Sequence, residues 1–225
     1  MPKVESMKPS LWETALQVAP ALYLDSKEPF LPIRVGITIF ENTAPSLSFN
    51  RVIEVNREKI HAVIEYAIYW DYDIQHLYDL EHVWVYVGYE GEIVSCEASF
   101  HGRYLLGLLR DRSNLPADNR VKLFVQPGKH AMSPLEEVFR LLPDVETCNN
   151  ELAGNGGVLE PEMFKGQFKS GDHIDKIAEE HLRSFRFQPS FEYIRYEWPD
   201  DIFVTWDELR EEIPVRQRAL LETLS

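Results

Sequence analysis

The sequence predicts a mainly β protein: an antiparallel β-sandwich core with a helical C-terminal extension. Three observations carry this. P-I-R-V-G-I-T-I-F (32–40) alternates, with Ile33, Val35, Ile37 and Ile39 on one side, the period of a half-buried strand. H-V-W-V-Y-V-G-Y (82–89) meets E-I-V-S-C-E-A-S-F (92–100) through Glu90-Gly91, a hairpin signal. After about residue 130 the alternation gives way to helical patterns and long loops. The chain of 225 residues, 44% hydrophobic and 12% aromatic, suits a single domain over 1–225. Within it, 19–130 forms the sandwich core and 131–225 supplies helices and loops packed on that core.

Taken in order, residues 10–19 predict a short helix capped by Ser10, with Leu11, Ala15 and Val18 on one face. A-P-A-L-Y-L-D (19–25) reads as a strand stopped at D-S-K-E-P, and R-V-I-E-V (51–55) as another. A-V-I-E-Y-A-I-Y-W-D-Y-D (62–73) is rich in aromatic and β-branched residues, as strands prefer. V-K-L-F-V-Q (121–126) is a strand ended by Pro127-Gly128. Helices are predicted over 133–142, 173–182 and 205–213, with Pro214 at a break before the last segment. The glycine-rich stretch 150–159 lacks the Lys and Ser/Thr of a phosphate loop and reads as a flexible loop.

A formal net charge of −14 repels phosphate backbones and anionic lipid, so nucleic acid is not an expected partner. No segment has the length and apolarity of a transmembrane helix. Two cysteines, Cys96 and Cys148, make no disulfide framework, and M-P-K-V-E-S-M-K-P-S lacks an export pattern. These features predict a cytoplasmic protein with reduced thiols.

The densest chemistry lies at 71–82, D-Y-D-I-Q-H-L-Y-D-L-E-H. Asp71, Asp73, His76, Asp79 and Glu81 crowd together there, with His82 next. Such groups repel one another or compete for protons unless a positive charge sits among them, and a divalent cation is the simplest such charge. Residues two apart share a strand face. Asp79 and Glu81 therefore stand together at the mouth of the strand that continues through Val83, and Asp71 and Asp73 at the end of the preceding one. A short link, I-Q-H-L-Y, lets the acidic ends converge with His76 in the connection. Carboxylates and imidazoles suit Mg²⁺, Mn²⁺, Ca²⁺ or Zn²⁺ alike, and a solvated acidic turn without a ligand has the same spacing. His101, in F-H-G-R-Y, and His130, in P-G-K-H-A-M-S-P, each sit at a strand end beside glycine. Tyr66, Tyr69, Trp70 and Tyr72 form either a sugar or headgroup platform or plain strand core.

H-x-x-D-x-E-H-V at 76–83 resembles the G-H-R-H-D-W-E-type heptapeptide of the necrosis- and ethylene-inducing-peptide-like proteins. The aromatic strand ending in aspartate before it, and S-F-H-G-R-Y and G-K-H-A-M after it, are similar to elements of that family. A-P-A-L-Y-L (19–24) also resembles the opening strand of a related vacuolar-sorting-associated family. The likeness covers roughly 19–135. It implies a β-sandwich with a divalent ion in an acidic cavity, held by His76, Asp79, Glu81 and Asp73, with Asp71 second to Asp73. Leu80, Tyr78 and Gln75 stand where the heptapeptide has Trp, its second His and Gly. The toxin activity of secreted members is not implied.

Three functions follow as expectations. The first is a metal-dependent module binding a carbohydrate or polar headgroup, with Tyr69, Tyr72 and His101 at the rim. The second is a metal-dependent hydrolase with His101 or His130 as general base. The third is a structural ion with function elsewhere.

Overall fold

The computed structural model describes residues 9–168 and 171–224, so segment 1–8 of the N-terminal reading lies outside the described residues. α1 (Leu11–Val18) opens with a capping box: the Glu13 amide donates to Ser10 Oγ at 3.2 Å, and Glu13 Oε2 accepts from the Ser10 amide at 2.7 Å. β1 (Ala21–Asp25) and β2 (Arg34–Phe40) follow. A flap pairs β3 (Ala44–Pro45) with β4 (Val52–Ile53). β5 (Ala62–Tyr72), β6 (His76–Val87) and β7 (Ile93–Phe100) form the centre of the molecule. β8 (Arg103–Leu106), β9 (Lys122–Val125) and β10 (Met132–Ser133) complete the first part of the chain. Beyond them come α2 (Glu137–Arg140), α3 (Val145–Asn149), β11 (Gly157–Val158), α4 (Asp172–Arg183), β12 (Tyr193–Arg195), β13 (Phe203–Thr205) and α5 (Trp206–Leu224).

Among the described residues the main sheets have the orders β10-β9-β1-β12 and β13-β2-β5-β6-β7-β8, and β11 adds to β6. Their inner faces share one apolar core, in which Leu22, Leu123 and Val125 meet Tyr66, Ile68, Val83, Val85 and Ala98. Each large side chain buried there is worth about 1.5–3 kcal/mol. The protein is thus mainly β, two sheets packed as a sandwich with a C-terminal helix. The predicted hairpin is present, with Val83 opposite Ala98 and Val85 opposite Cys96.

Several expectations are corrected. The sheets are mixed: β1 runs parallel to β9, β13 to β2, and β11 to β6. Alternation reports a strand's faces but not its partner, and these partners are distant in sequence. Strands after residue 130 also enter both sheets. Residues 76–82 belong to β6 itself, so the turn is only Asp73–Gln75. The strand expected over 51–55 shrinks to Val52–Ile53 in the flap, and the helix over 133–142 to Glu137–Arg140. The glycine-rich stretch is not a free loop. The Gly156 amide donates to the Gln75 carbonyl at 2.9 Å, and Gly157 and Val158 pair with His76 and Leu77. A Cβ on Gly156 would meet both Gln75 O and His76 Cβ at 3.1 Å.

Pro214 does not break the last helix, which runs through it from Trp206 to Leu224. Ile213, Pro214, Gln217 and Leu221 are buried, and that packing offsets the cost of about 3 kcal/mol for an interior proline. The approach of α5 to β2 requires Gly36, where a Cβ would lie 2.9 Å from Leu209 Cδ2.

Candidate functional site

Cross-strand pairing sets the faces. In the β5–β6 ladder Trp70 is opposite Asp79 and Ile68 opposite Glu81. Both carboxylates therefore start from the core-facing side, beside Trp70. Asp73 leaves the ladder at the turn. Its Oδ1 accepts from the Gln75 and His76 amides at 2.7 and 2.8 Å, an Asx arrangement that closes the β5–β6 connection. Its Oδ2 takes the ammonium of Lys129 and lies 3.2 Å from His76 Nε2. His76 Nδ1 donates to the Tyr78 carbonyl at 2.9 Å, and Tyr78 itself takes a φ of +76°, uncommon for a bulky residue.

The loop after β9 brings the basic partners. Gly128 and His130 have φ of +69° and +58°, and the Gly128 amide donates to Glu28 Oε2 at 2.6 Å. His130, fully buried, places Nδ1 2.7 Å from Asp79 Oδ2 and Nε2 3.6 Å from Glu28 Oε1. Its ring stacks on Trp70 at 4.4 Å and 7°. Ser99 Oγ donates to Glu81 and accepts from the His82 amide.

Burial works against a charge on His130, but its hydrogen bond to Asp79 and the nearby Glu28 carboxylate outweigh it and push the imidazole up to about 10. Burial likewise works to raise Asp79; the hydrogen bond and charge of His130, with His76 and Lys129 behind, hold it below its ordinary value. Glu81 is pushed up to about 8 by burial and by the Asp79 charge, against the Ser99 hydrogen bond.

Of the residues singled out in the sequence, Asp73, His76, Asp79, Glu81 and His130 come together. Asp71 does not. It stands on the opposite face, where Arg216 of α5 forks onto it, Nε to Oδ1 at 3.0 Å and Nη2 to Oδ2 at 2.8 Å. Tyr69 is fully buried on that same face, donating to Asp71 Oδ1 at 3.1 Å and accepting from Gln217 at 2.8 Å. Tyr72 packs among Phe30, His181 and Phe185. Neither tyrosine borders the acidic cluster as a rim. His101 is exposed, and its Nε2 donates to Gln126 Oε1 at 2.7 Å. It therefore touches the loop that carries Lys129 and His130, not the carboxylates. Sequence reasoning missed Lys129, Glu28, Trp70 and Ser99 as members. Only Lys129 had a local signal, its place beside His130 in G-K-H-A.

The donor set of carboxylates and imidazole has the chemistry a divalent ion takes. Its placement is different: Lys129 lies on Asp73, His130 on Asp79 and Ser99 on Glu81. With these contacts made, no group of three or more His, Cys, Asp or Glu side chains among the described residues is arranged to hold a metal ion. By residue type the set fits such an ion; by position, among the described residues, it does not.

The fold and site define a two-sheet β protein with a buried cluster of acids and bases at one strand pair. No protein-family model matches the chain, and no curated protein does. Among solved structures, one described as a toxin fold for microbial attack and plant defense is 16% identical, with 57% of this chain and 69% of that chain covered and a TM-score of 0.37. NLPPya in complex with glucosamine is 18% identical, with 59% and 69% covered and a TM-score of 0.36. Necrosis and Ethylene inducing Protein 2 from the causal agent of cocoa's witches' broom disease is 17% identical, with 69% and 86% covered and a TM-score of 0.34. These values are too low to carry the properties of those proteins to this chain.

Proposed function

We propose that the protein is a non-catalytic binding module whose cluster of Asp73, His76, Asp79 and Glu81 is a seat for a divalent cation. A bound cation would present a Lewis-acidic centre to hydroxyl oxygens, so the ligand class is a carbohydrate or a polar headgroup. One observation supports the reading: Asp73, Asp79 and Glu81 are largely buried in one cluster, and a cationic side chain, Lys129, is already drawn onto Asp73. Burial and the charge of Asp79 push the Glu81 carboxyl up, an unfavourable crowding that a bound cation would relieve.

Binding is favoured over hydrolysis by the placement of the imidazoles. A general base must reach the proton it removes. His130 is fully buried with Nδ1 on Asp79, and His101 is turned to Gln126. The hydrolase reading is left without a base.

The test is metal analysis of the purified protein, followed by calorimetric titration with Mg²⁺, Mn²⁺, Ca²⁺ and Zn²⁺ in wild type and Asp79→Ala. Stoichiometric binding in wild type, lost in the variant, supports the seat. Absence of binding by all four ions overturns it. Hydroxyl recognition is read by titrating mannose, glucose and galactose with and without the ion that binds; cation-dependent shifts are expected.

A further inference from the structure

We propose that β8 is a docking edge for a second copy of this chain, which pairs with it antiparallel about a twofold axis through Leu105. The inference rests on the free edge of the larger sheet and is independent of the acidic cluster.

The hairpin turn decides which backbone groups are free. His101 and Gly102 join β7 to β8 with φ of +50° and +74°, the paired positive values of a type I′ turn. Phe100 then faces Arg103 as a hydrogen-bonded pair, and such pairs alternate along an antiparallel ladder. Ala98 with Leu105 is the next of them. The Gly107 amide, donating to the Cys96 carbonyl at 2.8 Å, continues the parity. Tyr104 and Leu106 lie between these pairs, so their amides and carbonyls point away from β7. Among the described residues β8 ends its sheet, and no further strand answers them. Sheet edges of monomers are usually guarded by charge, proline or a bulge. β8 has Arg103 at one end and otherwise Tyr104, Leu105 and Leu106, exposed by 45%, 39% and 52%.

Register and charge fit a second copy. Pairing Tyr104 with Leu106 of the second copy, and Leu106 with its Tyr104, engages both amides and both carbonyls of each edge. Leu105 then meets Leu105 of the second copy across the axis as a non-hydrogen-bonded pair, whose side chains stand closest. Arg103 falls opposite Gly107 of the second copy, which has no side chain to oppose it. A slip of one residue would turn these free groups toward groups already bonded to β7. The Arg51 guanidinium lies over the Tyr104 ring at 3.9 Å and fixes that ring for the contact. A net charge of −14 opposes self-association over most of the surface. No Asp or Glu lies between Glu97 and Asp111, however, so copies that meet along β8 do so where the chain carries no acid.

The experiment is sedimentation equilibrium of the full chain over a wide concentration range, at one pH and ionic strength, for wild type, Leu105→Lys, Leu105→Glu and Leu106→Pro. A short strand pair covers less than a standard interface of about 1,600 Å², so wild type is expected to dimerise reversibly with concentration. It should stop at the dimer, because the twofold uses up the edge. Leu105→Lys and Leu105→Glu each set like charges directly opposite in place of an apolar contact, and should weaken association about tenfold. An equimolar mixture of these two variants should associate more tightly than either alone. Leu106→Pro removes an outward amide and spares the ladder to β7; it too should weaken association about tenfold. In amide exchange, Tyr104 and Leu106 should gain protection as concentration rises, while Arg103 and Leu105 are protected throughout. A wild type that stays monomeric at every concentration overturns the proposal and leaves the edge to an extended segment of another protein. A dimer that the Leu105 variants do not weaken, a mixture no tighter than its components, or assembly that grows past the dimer also overturns it. If Leu106→Pro melts far below wild type, the Leu105 variants decide, because they keep every backbone group of β8.

Discussion

Replacing His130 with alanine tests the electrostatic design of the cluster. The substitution removes the partner that lies 2.7 Å from Asp79 and 3.6 Å from Glu28, and the ring stacked on Trp70 at 4.4 Å. Asp79 is then left buried without its counter-charge. Breaking a buried pair from one side costs about 3–5 kcal/mol. The rise of the histidine from 6.5 to about 10 gives the same order, at about 1.4 kcal/mol for each tenfold. The pH dependence has a definite sign. A histidine raised in the folded state contributes stability that is complete below about 6.5 and is lost as pH climbs through about 10. Glu81, whose carboxyl is raised from 4.5 to about 8, adds a decline between those two values in the wild type. His130 is among the charges that lower both Asp79 and Glu81, so the difference between wild type and variant reports the coupled cluster that His130 holds together. Urea denaturation in the presence of chelator, at several pH values from 6 to 9, is the assay. Wild type should exceed His130→Ala most at the acid end, with the gap narrowing as pH rises. A gap below about 1 kcal/mol at pH 6, or parallel pH profiles in the two proteins, would refute the reasoning.

Arg216→Ala should lower stability by about 1 kcal/mol, since the pair with Asp71 is only partly buried. It should leave Mn²⁺ affinity unchanged by calorimetry, because Asp71 faces away from the cluster. Asp73→Ala, by contrast, should abolish that binding. Ser99→Ala removes the donor to Glu81 and should cost about 1–3 kcal/mol in urea melts, the cost of a buried acceptor losing its partner. Gly128→Ala should destabilise by about 1–3 kcal/mol in thermal melts. Its φ is +69°, and the new Cβ would meet Asn149 Oδ1 at 2.0 Å.

Within the short range over which alternation acts, the sequence by itself determined a good deal. It located β2, β5 and the β6–β7 hairpin, because a strand's two faces are set by the geometry of adjacent residues. For the same reason Asp79 and Glu81 were legible as a pair on one face. The same rule misplaced Asp71. It shares parity with Asp73 only while the strand continues, and Asp73 has already left the ladder for the turn. Tertiary structure decided the rest: Arg216 claims Asp71 across 145 residues, Lys129 reaches Asp73 across 56, and His130 reaches Asp79 across 51. It also set β1 parallel to β9 and laid β11 beside β6. Local sterics fix which way a side chain points from its own strand. Which distant charge or strand edge answers it depends on what the folded chain buries together, and no short window of sequence contains that.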